Sequence, residues 1–437
     1  MAGNAQLKGQ EFIGALTARH PDVPRSIAIK TDIVREGVAW SPALTKLGRW
    51  AIPHVYHIYE WDETEFHSQG DVQGKPWIQL PTRFAFADGT CSLLRLEASA
   101  PYTVNEVGEG LSFHGRYMLH RDGDALEEVY FEPRPAWYER RTSDGTPFTR
   151  IAAGNGEGCI VGFSLLQYCE YFSSNDQCLF CCIKPTWERA KQVGLERTVR
   201  RRVDQMVEVL EVAKEEQEIG HINLTGGGLL DRHKEAEFYV EALQSLNRVM
   251  GANKVPIQLV TQAMEEDDLK RIHEAGDGMI HISHPLEVWD ERLWPTAVPG
   301  KSRYVGRERW LESLCKGVKV FGYGRVASNV VGGLEMVPAN GFTDWHEALE
   351  NTFGGFRWLW DHGIVANATI WIKAPGSSAE NFTPPPTDYY LEIERRNYDI
   401  KFEYRPPRDY SDSCCIKCMV VNCARDYDNL LGMDYAS

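Results

Sequence analysis

Apolar strand-like runs alternate with amphipathic helical runs between about residue 156 and residue 380. The first clear unit has apolar residues at helical spacing from Val199 to Leu210, followed by the strand-like run His221-Ile-Asn-Leu-Thr. About six such units succeed one another, with helices of roughly 10 to 20 residues. Each helix returns the chain to the end of the sheet where the previous strand began, so the strands run parallel, and such crossovers are right-handed. The pattern predicts an α/β fold, namely a partial or full (β/α) barrel.

The later units are predicted by the same reasoning. The predicted helices are residues 238–250, 266–275, 308–315 and 345–362. The predicted strands are residues 255–260, 278–283, 318–321, 326–331 and one that begins at Ala366. In barrels of this kind the functional side chains lie at the carboxyl ends of the strands. We therefore look for the site in the segments that follow each predicted strand.

The regions on either side of the barrel differ from it in pattern. Residues 1–155 have aromatic and β-branched residues at alternate positions and Asp-Gly turns, as in Arg83-Phe-Ala-Phe-Ala before Asp88-Gly, which predicts a β-rich N-terminal domain. Residues 381–437 include Pro384-Pro-Pro and a group of cysteines. We therefore expect three parts: residues 1–155, a barrel at 156–380 and a C-terminal extension at 381–437.

Charge and hydropathy limit the partners that we expect. The net charge is −15 over 437 residues, which disfavours a nucleic-acid partner, and the basic cluster around Arg200 is too local to change this. No run approaches the length of a membrane span, and the first residues lack the apolar run of a secretory signal. The sequence predicts a cytoplasmic protein that acts on a small molecule, without nucleic-acid or membrane partners.

Eleven cysteines occur in the chain, and most are clustered. In a reducing compartment clustered cysteines indicate metal ligands rather than disulfides. Cys169, Cys178 and Cys181 form the pattern C-x8-C-x2-C on a predicted loop after the strand-like run that begins at Cys159. Three thiolates on a [4Fe–4S] cluster would leave one iron open to a small molecule. The spacing also suits tetrahedral zinc, and Cys182 could replace Cys181 as a ligand.

A glycine run follows the cysteine loop after one helix and one strand. Here the chain resembles the radical S-adenosylmethionine (radical SAM) superfamily, whose usual signature is C-x3-C-x2-C, a helix, and a strand that ends in Gly-Gly-Glu. In this sequence the first gap has eight residues, and the strand ends in Thr225-Gly-Gly-Gly without the glutamate. The resemblance extends over roughly residues 156 to 380. The order of cysteine loop, helix, strand and glycine turn is kept.

The resemblance implies a [4Fe–4S] cluster, S-adenosylmethionine as a second cofactor and an external electron donor of the flavodoxin or ferredoxin type. The implied cluster ligands are Cys169, Cys178 and Cys181. The implied S-adenosylmethionine contacts are Gly226, Gly227, Gly228, Glu287 and Asn329. Glycines let the backbone approach a ligand without obstruction by a Cβ atom. From its position alone, Glu287 could equally be a surface residue at a strand end.

Cys414, Cys415, Cys418 and Cys423 form a second group within ten residues. Three interpretations remain open: an auxiliary iron–sulfur cluster, a site for a soft element or thiophilic substrate, and structural zinc or free thiols. The run Cys-Cys-Ile-Lys-Cys resembles the Cys-Cys-Leu-Lys-Cys element of the radical enzymes of arsinothricin biosynthesis. This implies catalytic roles for Cys414, Cys415 and Cys418 in moving the 3-amino-3-carboxypropyl group of S-adenosylmethionine to arsenic(III) or a similar soft acceptor.

Two other functions stay open. In the first, a 5′-deoxyadenosyl radical abstracts hydrogen from a small organic substrate, and the C-terminal cysteines hold a second iron–sulfur cluster. In the second, the chain is a zinc-stabilised binding protein on a barrel scaffold. The isolated cysteines Cys91, Cys159 and Cys315 are expected to be small buried apolar residues or free thiols.

Overall fold

The computed structural model describes residues 7–47, 49–51, 77–81, 83–107, 116–155, 160–192, 198–372, 374, 376–412 and 420–436. The helices are α1 (Gly9–Arg19), α2 (Arg25–Glu36), α3 (Pro42–Leu47), α4 (Ile183–Gln192), α5 (Val203–Glu216), α6 (Arg232–Met250), α7 (Glu266–Ala275), α8 (Trp294–Ala297), α9 (Pro299–Tyr304), α10 (Arg307–Phe321), α11 (Trp345–Asp361), α12 (Thr387–Tyr404) and α13 (Ala424–Leu431). The strands are β1 (Arg49–Ala51), β2 (Trp77–Gln79), β3 (Arg83–Phe86), β4 (Cys91–Leu93), β5 (Tyr102–Glu106), β6 (Tyr117–Arg121), β7 (Asp124–Tyr130), β8 (Ala152–Asn155), β9 (Ile160–Leu166), β10 (His221–Gly226), β11 (Ile257–Val260), β12 (Ile280–Ser283), β13 (Val326–Gly332) and β14 (Val365–Ile370).

The largest sheet has seven strands in the order β14-β13-β12-β11-β10-β9-β8. The six strands from β9 to β14 are parallel and lie side by side in chain order, while β8 pairs antiparallel with β9. Among the strands that the structure describes, β14 and β8 are the two edges, so the sheet is open. The predicted α/β class is confirmed, and the barrel takes its partial form.

Along each strand, successive side chains point in turn toward the helices and toward the opposite face of the sheet. Val326 of β13 lies against Gly317 of α10, where an added Cβ would be 3.2 Å from a Val326 methyl carbon. Asn329 therefore lies on the opposite face, away from the helices, and pairs in register with Asn367 of β14. The face away from the helices thus carries polar side chains.

The N-terminal part contains a five-stranded antiparallel sheet in the order β4-β3-β7-β6-β5, as the alternating pattern predicts. The helices α1 to α3 were not predicted from the sequence. In α2, Ile29 and Ile33 belong to the core of this small sheet, whereas Ile27 and Val34 belong to the larger core of the parallel sheet. Because α2 is buried on all sides, it lacks the one-sided apolar pattern by which an amphipathic helix is identified.

Several predicted boundaries can be compared with the structure. The helix predicted at 266–275 is α7, with acidic residues in its first turn and Gly276 directly after it. The strand predicted at 318–321 is wrong, because these residues form the last turn of α10. This turn ends where Gly322 has a φ of 102°, and the Gly322 amide donates to the Val318 carbonyl over 2.9 Å. The β-branched residues of that turn misled the prediction.

Buried charges join the N-terminal part to the last helix. Lys30 of α2 and Asp426 of α13 have fully buried side chains and form an ion pair with 2.5 Å between Nζ and Oδ2. Lys401 of α12 pairs in the same way with Asp428 of α13. Burial lowers the pKa of Lys30, but the charge of Asp426 and other nearby groups outweighs it and raises this pKa above its ordinary value.

Over the described residues, none of the helices combines the length and apolar character that crossing a bilayer requires.

We predict that Lys30→Met destabilises the fold strongly. The substitution leaves the Asp426 carboxylate buried without its cation, and the expected loss in the free energy of unfolding is about 3–5 kcal/mol. Denaturant unfolding monitored by circular dichroism would measure it. Lys254→Met is the matched control, because Lys254 forms an exposed pair with Asp277 and should lose less than about 1 kcal/mol. Equal losses in the two variants would contradict the structural role of the buried pair.

A second prediction concerns the pH dependence of stability. Burial raises the pKa of Glu394 in α12 to about 8, from an ordinary value of 4.5. Between these values the folded state keeps a proton that the unfolded state releases, so stability is lost as the pH rises, by about 1.4 kcal/mol per pH unit. We expect Glu394→Gln to remove this slope between pH 5 and 7.5, measured by denaturant unfolding. Glu392→Gln, at an exposed position on the same helix, should leave the wild-type slope in place.

Candidate functional site

The cysteine loop leaves the carboxyl end of β9 and leads into α4. Cys169 is followed by a short 3₁₀ turn, and Asn175, in a left-handed conformation with a φ of 57°, then turns the chain toward Cys178. Cys169 and Cys178 are buried, and Cys181 is half-buried. The loop therefore places three thiols beside the end of the first parallel strand, where the sequence predicts them.

The three predicted ligands lie close enough to influence one another's ionisation. Burial is the largest cause that raises the pKa of Cys181, and the charges of Cys178, Cys182 and Cys169 add to it. Burial also raises the pKa of Cys178, to about 12. The Cys182 thiol instead interacts with Thr186, one turn further along α4. The structure thus brings Cys169, Cys178 and Cys181 together and turns Cys182 toward the helix.

Within the described ranges, no group of three or more His, Cys, Asp or Glu side chains is arranged to hold a single metal ion. The donor set of Cys169, Cys178 and Cys181 consists of thiols alone, and three thiolates fit a [4Fe–4S] cluster with one iron left open.

The glycine turn after β10 touches the cysteine loop backbone to backbone. The Gly227 amide donates to the Leu166 carbonyl over 2.8 Å, and the Glu170 amide donates to the Gly228 carbonyl over 2.9 Å. A Cβ added at Gly227 would lie 2.3 Å from the carbonyl oxygen of Tyr168. Only glycine allows this approach. The predicted residues Gly226, Gly227 and Gly228 therefore lie directly against the loop that carries Cys169.

A buried hydrogen-bond network lies behind the glycine turn, and the sequence analysis missed it. Tyr171 donates to Oε1 of Gln262 over 2.6 Å, and Nε2 of Gln262 donates to Glu235 over 2.7 Å. Glu235 also accepts from the Leu229 amide over 2.8 Å. Burial raises the pKa of Glu235 to about 7. The network connects the cysteine loop, the glycine turn and the segment after β11, which are far apart in the sequence.

Gln262 also fills the space next to the third glycine. A Cβ added at Gly228 would lie 3.2 Å from Nε2 of Gln262, which Glu235 holds in place. A glutamate at position 228, as the usual Gly-Gly-Glu signature has it, would need this side chain to shift. Gln262, which follows the neighbouring strand β11, thus occupies the space beside position 228, where the usual signature has a glutamate.

The other two predicted S-adenosylmethionine contacts are Glu287, in the segment after β12, and Asn329, in the middle of the neighbouring strand β13. The Glu287 amide donates to the Asn329 carbonyl over 2.8 Å, so the segment after β12 runs beside β13. Nζ of Lys301 in α9 lies 2.6 Å from Oε1 of Glu287. Glu287 is therefore not a surface residue, because its carboxylate is buried with Lys301. The sequence gives no sign of this pair, since it forms only when α9 folds back onto the sheet.

The C-terminal cysteines divide into two sets. Cys414, Cys415 and Cys418 lie outside the described residues, as does Cys159. Cys423 is fully buried, and its Sγ atom lies 3.6 Å from the hydroxyl oxygen of Thr31 in α2. Cys91 is buried and Cys315 is half-buried, and neither forms a disulfide bond with another described cysteine.

The site thus combines two buried thiols, one half-buried thiol and a glycine turn near the carboxyl ends of neighbouring parallel strands. Residues 172–336 match the model of the Radical SAM superfamily, a stretch that contains Cys178, Cys181, the glycine turn, Glu287 and Asn329. Residues 172–336 therefore form a radical SAM domain, which supports an enzyme of the radical SAM superfamily.

One curated relative is the bacteriochlorophyllide c C-7(1)-hydroxylase of Chlorobaculum limnaeum, to which the chain is 23% identical over 343 residues, or 74% of this chain and 79% of that protein. Two solved structures are similar at lower identity. Methylornithine synthase has a TM-score of 0.41 and 14% identity, over 60% of this chain and 69% of that chain. A radical SAM methyltransferase from Sphaerobacter thermophilus has a TM-score of 0.38 and 16% identity, over 91% of each chain.

The glycine turn gives a direct prediction. Gly227→Ala would press a methyl group against the backbone of Tyr168 and Cys169, which cannot move aside as a flexible side chain could. We expect the cysteine loop to be displaced at a cost of about 1–3 kcal/mol or more. Iron content and visible absorbance after anaerobic reconstitution would measure the loss of cluster binding.

The control for this prediction is Gly354→Ala in α11, where an added Cβ meets no other atom within 4 Å. This variant should bind iron like the wild type and gain about 0.5–1 kcal/mol, because alanine is the better helix former. Full iron content in Gly227→Ala would show that cluster binding does not need the close contact between the glycine turn and the cysteine loop.

Proposed function

We propose that the chain binds a [4Fe–4S] cluster through Cys169, Cys178 and Cys181 and transfers the 3-amino-3-carboxypropyl group of S-adenosylmethionine to arsenic(III) or a similar soft acceptor. The proposed transfer to a soft acceptor is supported by the attachment of the C-terminal extension to the parallel sheet. Nε2 of His221, the first residue of β10, lies 2.6 Å from the Asp412 carbonyl oxygen. The Ile370 amide, at the end of β14, donates to the Val421 carbonyl over 2.8 Å.

The Asp412 contact is at the amino end of β10, whereas the Val421 contact is at the carboxyl end of β14, the end at which the cysteine loop also leaves the sheet. The Val421 contact supports a role for the extension at the cluster site. Asp412 and Val421 lie on either side of the run that contains Cys414, Cys415 and Cys418. Soft thiolates are the ligands that soft acceptors such as trivalent arsenic prefer. We propose that these three thiols bind the acceptor and present it to S-adenosylmethionine.

A bound [4Fe–4S] cluster with one open iron supplies, with an electron from an external donor of the flavodoxin or ferredoxin type, the means to cleave a carbon–sulfur bond of S-adenosylmethionine. We propose that the amino-acid end of that molecule binds beside the glycine turn, whose residues Gly226, Gly227 and Gly228 also pack against the cysteine loop and Gln262. Glu287, which follows β12, and Asn329, within β13, are the further contacts that we propose for it.

The second candidate is hydrogen abstraction by a 5′-deoxyadenosyl radical from a small organic substrate, with an auxiliary cluster on the C-terminal cysteines. The 23% identical relative named as a hydroxylase favours it. The position of Cys423 counts against a four-cysteine auxiliary cluster, because its thiol is packed against Thr31 and beside Lys30 in the buried ion-pair network. Without Cys423 the group has three thiols, those of Cys414, Cys415 and Cys418, and three thiolates can bind one trivalent acceptor atom.

The products of S-adenosylmethionine separate the two candidates. The protein is reconstituted anaerobically with iron and sulfide, reduced with dithionite and incubated with S-adenosylmethionine, with and without arsenite. We expect methylthioadenosine that increases with arsenite, measured by chromatography. 5′-Deoxyadenosine that arsenite does not change would favour the second candidate. Zinc in the metal analysis, with neither nucleoside formed, would overturn both and favour a zinc-stabilised binding protein.

Cysteine variants test the proposed roles. Cys418→Ser should keep its iron and lose the arsenite-dependent product, because one thiol of the acceptor site is missing. Cys315→Ser, at a half-buried thiol on α10, is the control and should keep both iron and product. Loss of product in the Cys315 variant, or its retention in the Cys418 variant, would contradict the proposed acceptor site.

A second pair of variants tests whether Cys181 or Cys182 is the third ligand of the cluster. We expect Cys181→Ser to lose most of its iron, because its thiol lies with those of Cys169 and Cys178, and Cys182→Ser to keep it. Iron analysis and the electron paramagnetic resonance (EPR) spectrum of the reduced protein would measure both. The opposite pattern would assign the third ligand to Cys182.

A further inference from the structure

A small cavity of about 220 Å³ lies in the connection between β7 and β8, and Arg141 and Arg150 both line it. The chain doubles back here, because Arg141 pairs antiparallel with Pro147, and Gly145, with a φ of 85°, lies in the turn between them. Arg150 ends the 3₁₀ turn that follows. The proposed cluster and acceptor sites use neither of these two arginines.

Neither arginine has a carboxylate partner within the part of the chain that the structure describes. No hydrogen bond or ion pair joins the Arg150 side chain to a described residue, and its Nε atom is buried. Nη1 of Arg141 donates to the Gly145 carbonyl, which carries no charge, over 2.8 Å. Burial, and after it the charge of Arg141, lowers the pKa of Arg150. Both guanidinium groups stay protonated at neutral pH, so two positive charges share the cavity.

Asp144 lines the same cavity, but other groups already use its carboxylate. Oδ1 accepts from the Thr146 hydroxyl over 2.8 Å. Oδ2 accepts from Nη1 of Arg202 over 2.9 Å and from Nε2 of Gln205 over 3.0 Å. The charge of Asp144 is therefore balanced by Arg202. Among the described residues, the two arginines of the cavity have no counter-ion of their own.

We propose that this cavity binds a phosphoryl group between Arg141 and Arg150. A guanidinium group offers parallel N–H donors that match two oxygens of a phosphate, and such charge-assisted hydrogen bonds are strong. A phosphoryl group carries nearly two negative charges at neutral pH, which balances two arginines, whereas a carboxylate carries only one. Thr149 lines the same cavity and adds a hydroxyl donor. The ligand is thus inorganic phosphate or a small phosphate ester.

The test is isothermal titration calorimetry of the full-length, reconstituted protein at low ionic strength, with inorganic phosphate, glycerol 3-phosphate and acetate. We expect phosphate to bind at one site, and Arg150→Met and Arg141→Met each to weaken it about tenfold or more, because charge-assisted hydrogen bonds are lost. Arg357→Met is the control, because Arg357 forms an exposed pair with Glu403, and it should bind phosphate like the wild type. Tighter binding of glycerol 3-phosphate than of phosphate would support a phosphate ester as the ligand, and equal binding would support inorganic phosphate.

Thermal unfolding provides a second measurement. Without phosphate, Arg150→Met should unfold no lower than the wild type, because the arginine side chain has no partner to lose among the described residues. Phosphate should raise the unfolding temperature of the wild type and leave that of Arg150→Met unchanged, since a ligand stabilises only the state that binds it. Absence of phosphate binding, acetate binding of equal strength, or undiminished phosphate binding in both arginine variants would overturn the proposal. Iron content and nucleoside products are measured separately, so such a result would leave the proposed function intact.

Discussion

The contact between the glycine turn and the cysteine loop holds the site together. It is a contact between two backbones, with Gly227 against Tyr168 and Cys169 and no side chain in between. Each partner follows directly from a strand of the parallel sheet, since β9 leads into the loop and β10 into the turn. The pairing of these two strands therefore places Cys169, and the loop has little freedom to move it.

The remaining parts of the site are arranged around this contact by buried polar groups. Tyr171, Gln262 and Glu235 link the loop to the ends of β10 and β11. Lys301 pairs with Glu287, and Gly300 next to it donates to the Asp176 carbonyl of the loop. Buried polar groups of this kind are stable only when their partners are in place. The order of the site thus depends on four successive strand ends folding into register.

The sequence predicts the repeating parts of this fold well and its long-range pairings poorly. The helix at 266–275 is marked by its acidic first turn and by the glycine after it, and the cysteine loop by its spacing; both are local signals. Helix α2 was missed because it is buried on every side, and the end of α10 because β-branched residues imitate a strand. Lys301 and Gln262 gave no signal, because their partners lie 14 and 27 residues away and meet them only in the folded chain.

The position of α13 in the sequence affects the order in which the fold is completed during synthesis. Asp426 and Asp428 of α13 neutralise two lysines that lie in α2 and α12. During synthesis α2 leaves the ribosome before α13, because Lys30 and Asp426 are 396 residues apart, and their ion pair forms only when α13 has emerged. Burial of Lys30 is therefore expected only after translation has passed α13. The core around α2 and the sheet edge at β14 are thus completed by residues 421–428, which follow the whole parallel sheet in the sequence.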